Sequence, residues 1–433
     1  MYVTLANKIL PGFTTVTTSP RYLSMLCDAI GEAEKRHPDS TQSPIRLRQQ
    51  RLNLVKSYER AWALACVLAS GYETLGQVAT DGLRGVQSVR RRLSELSGRE
   101  KTIRTGSFNL LANQVRYGGI GAYSAMLEDC HLASMRSLNL RPIGFSMADA
   151  FPKPGDSLPV YDEDKQLSIE GLTEWGQKCH LGDFGKKESK TLSIALRGGE
   201  ECGWDDEIRW TMLRFIAAVA TESDGEPELV GRLLKAIQEN SLSNLKVPAG
   251  TTQQIHAALT VIEPFERFYQ ACQYLFDAIR AATTDEPEIA LEKFAKEQAV
   301  NTAFSEAKKA ASEVLIAIQS SNEIDSRSHE DIFSAFISAQ MNNLLACVET
   351  CTSSHDMLVI VLNRHRDVQH GRLDNGERKA PWIHHDSSSN KIRLSAQRYQ
   401  LPVSQRFSNW TDVPWHPYRT SGARRFIRQC DIH

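Results

Sequence analysis

The sequence predicts a mainly α fold, a multi-helix body with a small mixed α/β module near its C-terminal end. Three observations predict it. Apolar residues recur at three- and four-residue spacing through most of the 433 residues, the pattern of amphipathic helices. Prolines and glycines fall at the edges of those stretches, where helices start and stop. Only the last seventy or so residues break the period, with short apolar runs around polar turns.

The elements follow in chain order. Pro11-Gly12 makes a turn, and residues 13–18, rich in β-branched side chains, read as extended. Ser19 then suits an N-cap and Pro20 a first helical position. Tyr22, Leu23, Leu26, Ala29 and Ile30 carry that helix to the His37-Pro38 break. A second helix spans 44–69, with Leu47, Leu54, Tyr58 and Trp62 on one side and Arg46, Arg48, Arg51 and Lys56 on the other. A third, basic helix over 86–96 carries Arg90, Arg91 and Arg92. Glycines 118, 119 and 121 interrupt the next apolar segment, and helix resumes over 126–138.

Residues 141–206 hold four prolines, several glycines and Asp162-Glu-Asp164, the composition of a connecting region. Helical period returns with Ile208, Met212, Phe215, Ile216 and Val219, then Leu229, Leu233 and Ile237. A long helix over 251–279 contains Pro264, which kinks it. Helices over 287–320 and 328–352 follow, the latter opened by the capping-box-like Ser328-His-Glu-Asp331. Another, over 356–370, stops at Gly371. Residues 381–386 and 391–394 read as two short strands about a polar turn. The expected domains are therefore 1–140, a helical domain with basic helices; 141–206, the connector; 207–355, an acidic helical domain; and 356–433, a basic module.

Composition fixes the class. Hydrophobic residues at 41% and charged residues at 24% are ordinary for a globular chain. The longest apolar run, 61–69, falls far short of the roughly 20 residues a bilayer requires, so no membrane partner is expected. Nine irregularly spaced cysteines suit reduced thiols rather than a disulfide framework. The start of the chain lacks the features of a secretory signal, so the reading is cytoplasmic. The net charge of −1 is unevenly spread, with about +8 over 41–120, about −16 over 121–360 and about +7 over 361–433. Basic segments favour nucleic acid or an acidic protein surface. Alternatively, they fold back on the acidic middle.

Candidate chemistry is sparse. Cys347, Cys351 and His355 share a helix face and offer zinc three ligands, but zinc needs a fourth and the same spacing suits core packing. Asp156, Glu163, Asp164 and Lys165 bring together the residue types of a metal-dependent nuclease, but lie in one Pro-rich acidic loop rather than on adjoining strands. No Gly-rich phosphate loop ends in Lys-Ser or Lys-Thr. No cofactor is expected. Arg364, His365, Arg366, Gln369, His370, Arg372, Trp382, His384 and His385 form the densest polar cluster. Arginine can hold phosphate and Trp or His can stack on a base, while imidazole transfers protons near neutral pH. No serine, cysteine or carboxylate stands in a triad relation to these histidines, so catalysis is left as an alternative to DNA contact or partner docking. At the other end, Thr17, Thr18, Ser19 and Arg21 flank a helix N-terminus and could bind an anion, or could simply pack and cap it.

The same opening stretch carries a resemblance. Pro11-Gly-Phe-Thr-Thr-Val-Thr17, followed by Arg21-Tyr-Leu-Ser-Met-Leu26, resembles the N-terminus of bacterial accessory proteins of anti-phage defence islands, encoded beside helicases, ATPases or nucleases. His365-x-x-x-Gln369-His370, then Gly371 and Trp382, is similar too. The likeness rests on about forty residues and assigns no catalytic residue. It implies a multi-component prokaryotic system acting on foreign DNA. The expected function is a non-catalytic subunit that binds DNA through Arg46, Arg48, Arg51, Arg90, Arg91, Arg92, Arg364, Arg366, Gln369, His370, Arg372 and Trp382 and another protein subunit through its helical body. The alternatives are a nuclease or other hydrolase using the C-terminal His/Arg cluster, and an interaction protein that never meets nucleic acid.

Overall fold

The computed structural model describes residues 2–39, 43–71, 79–96, 100–182, 184–286, 288–323, 339–374, 377–430 and 432. The fold is mainly α, with short strands in small antiparallel sheets. The chain divides into two compact units. The larger comprises Ala6–Ala220, Ser241–Thr252 and Pro417–His433; the smaller comprises Met1–Leu5, Thr221–Asn240 and Gln253–His416.

The larger unit is built on three helices after the short α1 (Tyr2–Ile9): α2 (Arg21–Arg36), α3 (Pro44–Ala69) and α4 (Val86–Ser94). Trp62 of α3 is wholly buried, with Tyr22 of α2 edge-on at 4.8 Å. Tyr22 in turn stacks on Tyr123 at 4.9 Å. Helices α5 (Gln114–Tyr117) and α6 (Gly119–Asp129) meet at the glycines expected to interrupt helix. Gly118 is instead the N-cap of α6, and the buried Glu59 carboxylate accepts the Gly119 N–H at 2.6 Å. Helix does not continue to residue 138. His131 and Leu138 adopt left-handed φ near +54°, and the chain turns through the ladder β2 (Ala133–Ser134) to β3 (Asn139–Leu140).

Residues 141–206, expected to connect domains, are folded into the same unit. They form α7 (Pro142–Ala150), α8 (Ile169–Cys179) and α9 (Lys186–Leu196). Gly176 of α8 lies so close to α3 that a Cβ there would meet the Ala65 carbonyl oxygen at 2.0 Å, which explains how a Gly-rich segment becomes core. Strand β1 (Thr102–Ile103) pairs antiparallel with β4 (Leu167–Ser168). Helix α10 (Trp204–Val219) buries Ile208, Met212, Phe215 and Ile216, the stripe expected from the sequence.

The smaller unit holds α11 (Glu226–Gln238), most of the long α12 (Ala249–Asp285) with Pro264 inside it, α13 (Leu291–Phe294), α14 (Gln298–Glu323), α15 (Ala339–Thr350) and α16 (Ser354–His370). Ser328 and the expected capping box lie outside the described residues. The predicted hairpin is present as β8 (Ile383–Asp386) and β9 (Lys391–Leu394), with Ile383 opposite Leu394. Strand β5 (Ile289–Ala290) lies at the start of the expected helix 287–320 and instead adds to β9. The ladder β6 (Leu373–Asp374) to β7 (Glu377–Arg378) precedes the hairpin. The expected 356–433 module does not stay together, because α17 (Thr420–Cys430) belongs to the larger unit.

Candidate nucleic-acid interface

Helix α17 has a buried face of Gly422, Ala423, Phe426 and Cys430 and carries Arg424, Arg425 and Arg428. Its seat is the opening stretch of the chain. Phe13 and Phe426 are both buried and meet edge-on at 5.0 Å. A Cβ at Gly422 would fall 2.5 Å from the Thr17 carbonyl oxygen, so only glycine permits this approach. The loop is a turn rather than an extended strand. Thr17 N–H donates to Thr14 C=O at 3.1 Å while the two hydroxyls bond each other at 2.7 Å, local bonding that competes with a strand. The Tyr123 hydroxyl accepts the N–H groups of Thr18 and Ser19 at 3.1 and 2.9 Å.

Beside α17 lies α9, joined to it by the Ser193 hydroxyl donating to the Cys430 carbonyl at 3.1 Å. Three cavities adjoin along these helices. The first, about 610 Å³, has Arg90, Arg425, Arg428 and Asp81 in its walls. The second, about 630 Å³, shares Gln429 with it and is lined by Lys186, Lys190, Arg197 and Phe184. The third, about 750 Å³, shares Lys190, Ile194 and Arg197 with the second and adds Lys187, His131, Glu200 and Glu201. The result is a cationic trough on one unit. Asp81 is engaged by Arg425 at 2.6 Å, and Glu201 by His131 at 3.0 Å. Arg197 rests over the Trp210 ring at 4.2 Å, which orients its guanidinium. Burial pushes the Cys430 thiol far up, so it stays protonated in the trough wall.

Gly82 shapes the first cavity. Its φ of +85° lies in the left-handed region, and a Cβ there would press on the Thr18 hydroxyl at 3.2 Å and on the Arg425 guanidinium at 3.4 Å. Glycine is the residue that suits both demands.

The sequence-predicted residues divide sharply. Arg90 lines the trough, and Arg91 is exposed on the same helix. Arg92 is held between Ser107 at 3.1 Å and Glu95 at 3.3 Å. Arg46 is exposed, whereas Arg48 is half-buried with its Nε on the Met135 carbonyl at 3.3 Å. Arg51 is a correction: it is wholly buried, bonded to the carbonyls of His37 and Ser137 and to Asp39, so it cannot meet a phosphate. The anion-site expectation is also corrected in its core. Thr17, Ser19 and Arg21 are buried, and Arg21 is paired internally with Glu188 at 3.2 Å. Ser19 does not cap α2 through its hydroxyl; Pro20 is the N-cap and no side-chain cap forms.

In the smaller unit, Arg366, His370 and Arg372 are exposed and Arg364 is half-buried. Gln369 is buried. Trp382 is already stacked, on Tyr399 at 5.5 Å and under the Arg280 guanidinium at 5.3 Å. Burial, with Arg372 and Arg280, pulls His365 down to about 4. Its Nε2 accepts the Trp382 N–H at 2.9 Å, which leaves that lone pair unavailable as a base. Cys351 is buried with its thiol on the Ser353 carbonyl, and the His355 ring meets Asn390 at 3.3 Å. Among the described residues, no group of three or more His, Cys, Asp or Glu is placed to hold a metal ion.

Lys186, Lys187, Lys190 and Arg197 were not singled out from the sequence, because they sit within a segment of strongly negative net charge. Their signal was spacing: Lys187, Lys190, Ile194 and Arg197 recur every three or four residues, one face of a helix. No helix is long and apolar enough to cross a membrane among the described residues. Comparison with protein-family models, with curated proteins and with solved structures finds no match to this chain.

Proposed function

We propose that this protein is a non-catalytic DNA-binding subunit of a multi-component anti-phage assembly, gripping the phosphate backbone through the trough and another subunit through its helical body. One observation carries the DNA part: the trough is lined by Arg90, Arg425, Arg428, Lys186, Lys187, Lys190 and Arg197 against Asp81, Glu200 and Glu201. Cations gathered in a concave surface raise local potential and attract a polyanion. The non-catalytic part rests on His365, whose free electron pair is committed to backbone. The defence setting rests on the resemblance of the opening stretch.

The test is fluorescence anisotropy of labelled DNA across a salt titration. Each phosphate engaged contributes about −0.7 to −0.9 to the slope of log affinity against log salt. Changing Arg90, Arg425 and Arg428 together to Ala is expected to make that slope shallower by about 2. The same changes at Arg364, Arg366 and Arg372 measure the share of the smaller unit. Absence of binding even at low salt refutes the proposal.

A further inference from the structure

The trough's walls are as informative as its rim. Each cavity combines cations with apolar surface: Leu83, Val86 and Leu181 in the first, Phe184 and Ile194 in the second, Ile194 with Pro142 and Ile143 in the third. Ile194 is 47% exposed and lies between Lys190 and Arg197 in the lining shared by the second and third cavities. Each volume falls within the roughly 300–1,000 Å³ of pockets that enclose a small ligand.

A DNA duplex cannot use such walls. It presents a convex cylinder of phosphates with its base faces stacked inside, so recessed apolar surface gains nothing from it. A single strand presents phosphates and free base faces together, and aromatic or aliphatic floors beneath a basic rim are how such strands are held without sequence readout. Resting on the DNA-binding reading above, we propose that the trough takes single-stranded DNA, with successive nucleotides entering the three cavities and one base lying against Phe184 and Ile194. The cations then hold the backbone along the rim. Phe184 is positioned for this role by the Arg21 guanidinium, 5.8 Å from its ring centroid.

The experiment compares a short labelled oligothymidine with a labelled hairpin duplex, on wild type, Phe184→Leu, Ile194→Ser and Arg428→Ala. Phe184→Leu keeps an apolar side chain beside Arg21, and Ile194 is exposed enough for the serine variant to fold. The expected result is tighter binding of the single strand, weakened roughly five- to a hundredfold by Phe184→Leu or Ile194→Ser, with the salt slope unchanged because no phosphate contact is lost. Arg428→Ala should instead make the slope shallower by about 0.7. Duplex bound as tightly as single strand, with both apolar variants neutral, overturns this inference and leaves the DNA-binding reading standing. Failure of both probes to bind at low salt overturns both readings.

Discussion

The pair Arg21–Glu188 sets the sharpest quantitative test of how the trough is held. Both side chains are about 98% buried or more, and their charged ends lie 3.2 Å apart. Glu188 does more than neutralise Arg21. It accepts the Ser24 hydroxyl at 2.5 Å, and it accepts the Gly185 N–H at 2.9 Å, which satisfies the N-cap backbone donor of α9. Glu188→Gln keeps the shape, its one oxygen able to accept the Gly185 N–H and its amide N–H able to donate to the Ser24 hydroxyl, but leaves Arg21 charged, buried and without a carboxylate. Breaking a buried pair in that way costs about 3–5 kcal/mol. Glu188→Ala also removes the cap, which adds about 1 kcal/mol. Arg21→Met with Glu188→Met takes both charges out of the interior and should return stability to within about 1–2 kcal/mol of wild type. Because the chain has two units, a single denaturation midpoint would blend them. Native-state hydrogen exchange at α2 and α9 amides reads the local opening free energy instead. Glu188→Gln should accelerate that exchange by about two to four orders of magnitude, and the double variant should restore it. Acceleration of less than about threefold, or a DNA affinity raised by the freed Arg21, would refute the view that this arginine serves the fold.

The remaining predictions concern neighbouring elements. Phe426→Ala removes a buried ring from the Phe13 contact and should cost about 3–5 kcal/mol, with exchange rising first in α17 and DNA affinity falling with it. Arg51→Ala leaves the His37 and Ser137 carbonyls without their donor; it should destabilise by about 2–4 kcal/mol, while the salt slope of DNA binding stays unchanged. His365 binds its proton only near pH 4 in the fold and near 6.5 when unfolded. The unfolded state therefore binds more protons between those values, and stability falls as pH drops from about 6.5 to about 4. Melting curves of wild type and His365→Phe across that window should converge as the pH falls.

Periodicity made the helices legible where packing obeys it. The span 44–69 matches α3 residue for residue, and the stripe of α10 is buried as expected. The reading failed where a long-range contact overrides local composition. Gly118 and Gly176 look like breakers, yet each is where a backbone carbonyl approaches too closely for any Cβ, and Gly119 packs tightly against the Tyr22 ring. Arg51 looked like the polar face of an amphipathic helix, but the turn after α2 and the β2–β3 hairpin wrap it in carbonyls. Strand β5 has only two residues, too few to carry any period, and exists because β9 offers it an edge.

Net charge by segment misled for a related reason. It averages along the chain, whereas a ligand meets charge by face. The segment 121–360 is strongly acidic, yet α9 within it projects Lys187, Lys190 and Arg197 into one surface. Conversely, the basic run 41–92 loses Arg51 to the interior and Arg92 to local partners, and only Arg90 joins the trough. What converts the remaining charges into a site is the docking of α17. Phe13, Thr17 and Phe426 pin that helix, so Arg425 and Arg428 arrive beside Arg90 from more than three hundred residues away in sequence. The opening stretch Leu10 to Tyr22 thus acts through position rather than through its own hydroxyls. Its Thr17, Ser19 and Arg21 are buried, and it seats the helix whose Arg425 and Arg428 line the trough.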